Sequence, residues 1–138
     1  MVVMVQREVA QGMVAEPGDM RLLSVATQLY GRPKIVDVVP PRAFKPMPQV
    51  ASAVVRIDIF DELPIEVESE NKFFKIVKAG FSTPRKQIRN SLAIGLGSTK
   101  EIAQLILGQA GIDSTRRPQT LTLEEWGALY QSWCADEY

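Results

Sequence analysis

Residues 40–59 read Pro40-Pro41-Arg42-Ala43-Phe44-Lys45-Pro46-Met47-Pro48-Gln49-Val50-Ala51-Ser52-Ala53-Val54-Val55-Arg56-Ile57-Asp58-Ile59, a stiff loop followed by a strand. Four prolines within Pro40–Pro48 fix backbone dihedrals and remove amide donors, so no helix or ladder can run through them. From Ser52 the pattern changes. Ala53, Val55, Ile57 and Ile59 alternate with Ser52, Val54, Arg56 and Asp58, the period of a strand. Upstream, Lys34–Val39 carries Ile35, Val36, Val38 and Val39 and predicts a second strand that stops at Pro40-Pro41. The loop therefore joins two strands, and an exposed side chain on it is held at low entropic cost.

Working outward to the N-terminal side, Met1–Val5 is apolar at every position. That predicts a strand buried on both faces, as in the middle of a parallel sheet. Arg7–Ala15 has Val9, Met13 and Val14 at helical spacing and is stopped by Glu16-Pro17-Gly18-Asp19. Leu22–Tyr30 predicts a second helix closed by Gly31. On the C-terminal side, the acidic stretch around Asp61-Glu62-Leu63-Pro64 reads as a solvated linker over 61–71, with no clear period.

Beyond it the period is helical. Phe73, Phe74, Ile76, Val77 and Phe81 fall in one arc of a wheel, with Lys72, Lys75 and Lys78 opposite. Thr83-Pro84 has the form of a helix start, leading to Ile88 and Leu92 on a core face, and Gly95-Leu96-Gly97 reads as its C-terminal stop. Ser98-Thr99-Lys100-Glu101 and Thr122-Leu123-Glu124-Glu125 both have capping-box spacing and open two further helices. The last carries Trp126, Leu129, Tyr130 and Trp133 on one stripe. The organisation expected is an α/β piece over 1–60, the linker, and a small all-α bundle over 72–138.

Composition narrows the chemistry. The 138 residues contain no histidine and one cysteine, Cys134. This removes the commonest general base, the commonest metal ligand and any internal disulfide, and no metal site is expected. No apolar run approaches a membrane span. Sixteen basic and sixteen acidic residues cancel, but they are segregated. Residues 58–70 hold six acids and no base, and residues 71–100 hold seven bases and no acid. Such a run is either an ordinary solvated helix face, neutralised by the acidic segment, or a grip for a nucleic-acid backbone. Phe44 has two readings too: a plug that seats the loop, or a platform on which an unstacked base lies.

Two segments together are more specific. Phe44-Lys45-Pro46-Met47-Pro48-Gln49-Val50-Ala51-Ser52-Ala53-Val54-Val55 resembles the F-x-P-x-P-x-V-x-S-A-V-V segment of the KsgA/Erm family of rRNA adenine N6-methyltransferases. Phe81-Ser82-Thr83-Pro84-Arg85-Lys86-Gln87-Ile88-Arg89-Asn90-Ser91-Leu92 resembles the F-x-x-R-R-K-x-x-R-N-S-L segment of its KsgA branch, and Met4–Ala10 is similar to a strand-to-helix step in the same family. Order and spacing agree over almost the whole chain. Departures are Gln49, Ala51 and Pro84, where lysine, aspartate and arginine are usual, and a short connection at Asp19–Leu23.

The resemblance implies a partial Rossmann-like methyltransferase sheet followed by the helical RNA-binding domain. It implies S-adenosylmethionine as donor, small-subunit rRNA in the assembling small ribosomal subunit as partner, and action in the cytoplasm. Phe44 would stack on the target adenine, with Pro46 and Pro48 supporting its loop. Lys75, Lys78, Arg85, Lys86 and Arg89 would contact RNA phosphates, with Arg116 and Arg117 as further candidates. The family's glycine-rich donor loop, acidic ribose-binding residue and N-L-P-Y motif do not occur in these residues, so no catalytic residue is retained and the chain alone is expected to be inactive. A strand apolar on both faces then needs cover, from self-association or a complementing N-terminal half. Two other functions remain open on the same scaffold: a non-catalytic rRNA-binding or ribosome-assembly module, and a relative of the mitochondrial transcription factors.

Overall fold

The computed structural model describes residues 1–136. Three strands, β1 (Val2–Gln6), β2 (Gly31–Val39) and β3 (Ser52–Ile59), form one sheet in the order β1-β3-β2. Six α-helices accompany them: α1 (Arg7–Val14), α2 (Leu22–Tyr30), α3 (Glu70–Gly80), α4 (Ile88–Leu96), α5 (Lys100–Gln109) and α6 (Leu123–Asp136). The strand order is not the sequence order. β3 lies between the other two and is antiparallel to both, with Val2 opposite Arg56 on one side and Gly31 opposite Ile59 on the other. An irregularity between Ile35 and Asp37 shifts the β2 register, and pairing resumes through Val39 before the proline loop.

The reading of Met1–Val5 as a strand holds, but its surroundings differ from the expectation. β1 pairs with β3 alone, and antiparallel. Val3 and Val5 pack against the sheet core, whereas Val2 and Met4 are 65% and 56% exposed. The physical reason is coverage: α1 lies over one face of the strand, and nothing among the described residues lies over the other. On α1 itself, Ala10 and Met13 face inward and Val9 is turned out.

Two hydrophobic clusters result. The smaller joins Ala10 and Met13 of α1 to Ala53, Val55 and Ile57 of β3. The larger is the helical core, built on Phe73, Ile76, Leu92, Leu107, Trp126 and Leu129, and it also takes Val25 and Leu29 from α2. Helix α2 thus has two attachments. Its Ser24 hydroxyl donates to the Gly12 carbonyl at 2.5 Å, and the Gln28 amide donates to the carbonyls of Met13 and Ala15 at 3.1 and 2.8 Å. These bonds satisfy the orphan carbonyls at the end of α1.

The acidic segment has more order than its composition suggests. Leu63, Ile65 and Val67 pack against the helical core, and the acids between and around them are exposed. It ends at Ser69, whose hydroxyl caps α3 by accepting from the Lys72 amide, while its own amide donates to the Tyr130 hydroxyl at 3.0 Å. Thr122 and Glu125 form the reciprocal capping box expected of them. At α5 the cap is Thr99 rather than Ser98. Gly97, at φ 64°, ends α4 as its left-handed cap, as the Gly95-Leu96-Gly97 pattern predicts.

Thr83-Pro84 does not start a helix. Ser91, fully buried, takes the Thr83 amide on its hydroxyl oxygen at 3.1 Å and donates to the Gly80 carbonyl at 2.5 Å. That clamp holds residues 81–87 as a turn, and α4 begins at Ile88. Inside the bundle, α3 and α4 touch backbone to backbone, since a Cβ on Gly95 would lie 2.4 Å from Ala79 backbone atoms.

Candidate nucleic-acid interface

The proline loop leaves the sheet where all three strands come together. Val39 and Gln6 both face Ser52, and the Arg7 amide donates to the Ala51 carbonyl at 3.0 Å, so the loop base is tied to the start of α1. A short 3₁₀ turn, Pro41–Ala43, precedes Phe44, whose amide donates to the Pro41 carbonyl at 3.1 Å. The Phe44 ring belongs to neither hydrophobic cluster and is half-exposed. Pro46 is exposed, Pro48 half-buried, and the Lys45–Pro46 peptide is cis.

The cationic side chains fall into two neighbouring groups. Lys75 and Lys78 are on the exposed face of α3 and line a groove with Ser82 of the turn and Gly95 of α4. The Lys75 ammonium lies 5.8 Å from the Trp133 ring centroid. Arg85 and Lys86 are exposed on the 81–87 turn. Arg89, one residue into α4, is half-buried, and its Nε has no partner among the described residues. The segment after α5 is drawn against this turn, because the Ile88 and Arg89 amides donate to the carbonyls of Arg116 and Ser114. Those bonds close the start of α4. An anion arriving here would meet side chains, not free helix amides.

Arg116 and Arg117 part company. Arg117 is exposed. Arg116 turns inward, with both terminal nitrogens on the Glu125 carboxylate and a further bond from Nη2 to the Thr120 carbonyl at 2.7 Å. The Arg116 guanidinium bonded to it holds the Glu125 carboxyl below the ordinary carboxylate range, against the opposing effect of burial. Asp113 is lowered chiefly by the Thr115 amide and hydroxyl, with Arg116 and Arg89 adding their charge. Sequence pattern alone did not distinguish the two arginines.

Nor did it single out a cleft of about 900 Å³ between the turn joining α1 to α2 and the helical bundle. Phe81, Lys78 and Pro84 form one wall, and Glu16, Asp19 and Arg21 belong to the other. The signal available was the position of Phe81 at the head of a matched segment. Among the described residues there is no cluster of histidine, cysteine and carboxylate placed for a metal, and no helix long and apolar enough to cross a membrane.

The fold is that of a methyltransferase-type α/β protein. A dimethyladenosine transferase from Plasmodium falciparum superposes with a TM-score of 0.79 at 18% identity, covering 97% of this chain and 56% of that one. The 23S rRNA methyltransferase ErmE does so with a TM-score of 0.62 at 24% identity, covering 95% and 53%. These likenesses establish the fold. The sequence establishes the family: the model for ribosomal RNA adenine dimethylase matches residues 1–129, and the chain belongs to that family. Curated relatives named ribosomal RNA small subunit methyltransferase A include one from Dehalococcoides mccartyi (strain ATCC BAA-2266 / KCTC 15142 / 195), 49% identical over 94% of this chain. Another, from Desulfitobacterium hafniense (strain DSM 10664 / DCB-2), is 46% identical over 96%. The chain spans 44% and 48% of those two relatives' lengths, somewhat under half.

Proposed function

We propose that these residues are the C-terminal, RNA-gripping part of an S-adenosylmethionine-dependent rRNA adenine-N6,N6-dimethyltransferase that acts on small-subunit rRNA in the cytoplasm. The observation that carries this reading is the family match over residues 1–129, within which Phe44 lies outside both cores and the cations of 75–86 lie in solvent. The proposed division is 1–60, 61–71 and 72–138: the smaller cluster lies wholly within the first part, while the larger, centred on the third, also draws in Val25 and Leu29 of α2 and Leu63, Ile65 and Val67 of the middle segment.

The chemistry gives each part a task. The exocyclic nitrogen of adenine is a weak nucleophile because its lone pair is delocalised into the ring, so the base must be extruded and held. Phe44 offers a π face for that purpose on a loop stiffened by Pro46 and Pro48. Lys75, Lys78, Arg85, Lys86, Arg89 and Arg117 hold the backbone around the extruded base. Arg116 is not in this set, since Glu125 occupies it.

The donor does not fit these residues by themselves. The one glycine-containing turn that resembles a phosphate loop, Gly95-Leu96-Gly97, is the end of α4, and no strand leads into it. Donor contacts would come from other polypeptide, which would also cover the open edge of β1 and the exposed Val2 and Met4. The same misfit gives a second reading some support: a module that binds rRNA without transferring a methyl group.

The test is reconstitution. Mixed with a polypeptide supplying the donor-binding half of a relative, the chain is expected to support dimethylation of small-subunit rRNA, and alone it should show none. Phe44→Ala should lower the rate of the mixture by about tenfold to a hundredfold, the worth of one base–aromatic stack. Methyl transfer indifferent to Phe44 would contradict the assigned role. Tight RNA binding with no transfer in any mixture would favour the second reading.

A further inference from the structure

The cleft between the α1–α2 turn and the bundle shares only Lys78 with the RNA grip proposed above. Its volume, about 900 Å³, is in the range of sites that take a nucleotide. The Phe81 ring stacks on Trp126, with centroids 5.2 Å apart and planes at 28°, and Trp126 is fully buried. One face of Phe81 is therefore backed and immobilised, while the residue is half-exposed and lines the cleft. The stack depends on Gly80, where a Cβ would lie 2.6 Å from the Trp126 ring.

The opposite wall is anchored. The Gly18 and Met20 amides both donate to the Gln119 carbonyl, at 2.8 and 3.3 Å. Gln119 itself lines the cleft, and its buried side-chain oxygen has no hydrogen-bond partner among the described residues. Lys78 and Arg21 bring positive charge, Glu16 and Asp19 negative.

We propose that this cleft receives one unpaired RNA nucleotide, its base stacked on Phe81, at a site separate from the Phe44 loop. A rigidly backed aromatic ring is a stacking platform. Lys78 stands one turn before Phe81 on α3 and leads into the cationic turn of Arg85 and Lys86, so a flanking phosphate meets positive charge there. Glu16 and Asp19 repel phosphate from the other wall. Ionised carboxylates only accept hydrogen bonds, so they favour a base with an exocyclic amino group, which adenine, cytosine and guanine have and uracil lacks. The site extends the RNA-binding reading above and rests on it.

Single-stranded RNA octamers carrying 2-aminopurine, titrated with the 138-residue chain, test this. Binding should quench the probe. Phe81→Leu should abolish the quench and weaken affinity by about tenfold, and Phe81→Tyr should retain both. Lys78→Gln should reduce the salt dependence by about one unit of slope, and Phe81→Leu should leave it unchanged. Because Phe81 also packs on Trp126, a second variant reads the site without touching the stack: Asp19→Asn, at an exposed side chain, should narrow the preference for adenine- over uracil-containing octamers. RNA binding that depends on Arg85 and Lys86 but ignores Phe81 and Asp19 would overturn this proposal alone. Absence of RNA binding by the unmodified chain would overturn it together with the function from which it starts.

Discussion

Arg116 and Arg117 are neighbours in sequence with opposite fates. Arg116 ties the segment before α6 to Glu125, a residue whose other bonds cap that helix. Its replacement by methionine leaves a part-buried carboxylate without its cation and should cost about 1–3 kcal/mol, read as a lowered urea midpoint. Arg117→Gln should shift stability by no more than about 0.5 kcal/mol and take about one unit from the salt slope of RNA binding. The pair also sets a pH dependence. Glu125 has a folded-state pKa below its unfolded value, so its contribution is fully present above the unfolded carboxylate range. It is lost as pH falls through the depressed folded value. Denaturant midpoints should therefore drop in acid, and Arg116→Met should flatten that drop. The capping box around Glu125 was legible in the sequence because both partners are three residues apart. The guanidinium that meets the remaining carboxylate oxygen comes from nine residues away, and no local pattern announces it.

At the level of elements, signals carried by local backbone chemistry held: the glycine stop of α4, the threonine cap of α6 and the alternation of β3 through Ile57, although Ile59, read on the same face, is exposed. Thr83-Pro84 failed because a competing tertiary contact, the Ser91 hydroxyl, takes the Thr83 amide and bends the chain. The alternation of Leu63, Ile65 and Val67 was present but masked by Pro64 and by the acids around them. The α3–α4 crossing gives a prediction in which two effects oppose each other. Gly95→Ala should gain about 1 kcal/mol from helix propensity, yet the new methyl would meet Ala79 backbone, which has no rotamer to yield. Overpacking of this kind costs about 1–3 kcal/mol, so net destabilisation is expected in thermal melts. An increase in Tm would show that the two helices can separate without loss.

Over the whole molecule, the sheet and the bundle have separate cores, and α2 links them, packing Val25 and Leu29 into the helical core while its Ser24 and Gln28 bond to the end of α1. The sequence made both pieces visible. It did not reveal how α2 joins them, because its ties to α1 are hydrogen bonds from Ser24 and Gln28 to main-chain carbonyls, which no hydrophobic period records. Antiparallel pairing of β1 was hidden for a related reason: a continuous apolar run records burial, not strand direction. The exposed Val2 and Met4, on a strand with one edge unpaired, should make the isolated chain associate, and light scattering at moderate concentration should show species above monomer mass. A clean monomer would mean that this face tolerates water.

The central claim is that the α3 face and the 81–89 segment grip an RNA backbone, and its most direct test is the salt dependence of binding to a small-subunit rRNA fragment. With Arg117, the side chains Lys75, Lys78, Arg85, Lys86 and Arg89 predict a log–log slope of about −4 to −5, falling by about two units in the Arg85→Gln/Lys86→Gln double variant. A slope near zero, or one indifferent to that double variant, would contradict it.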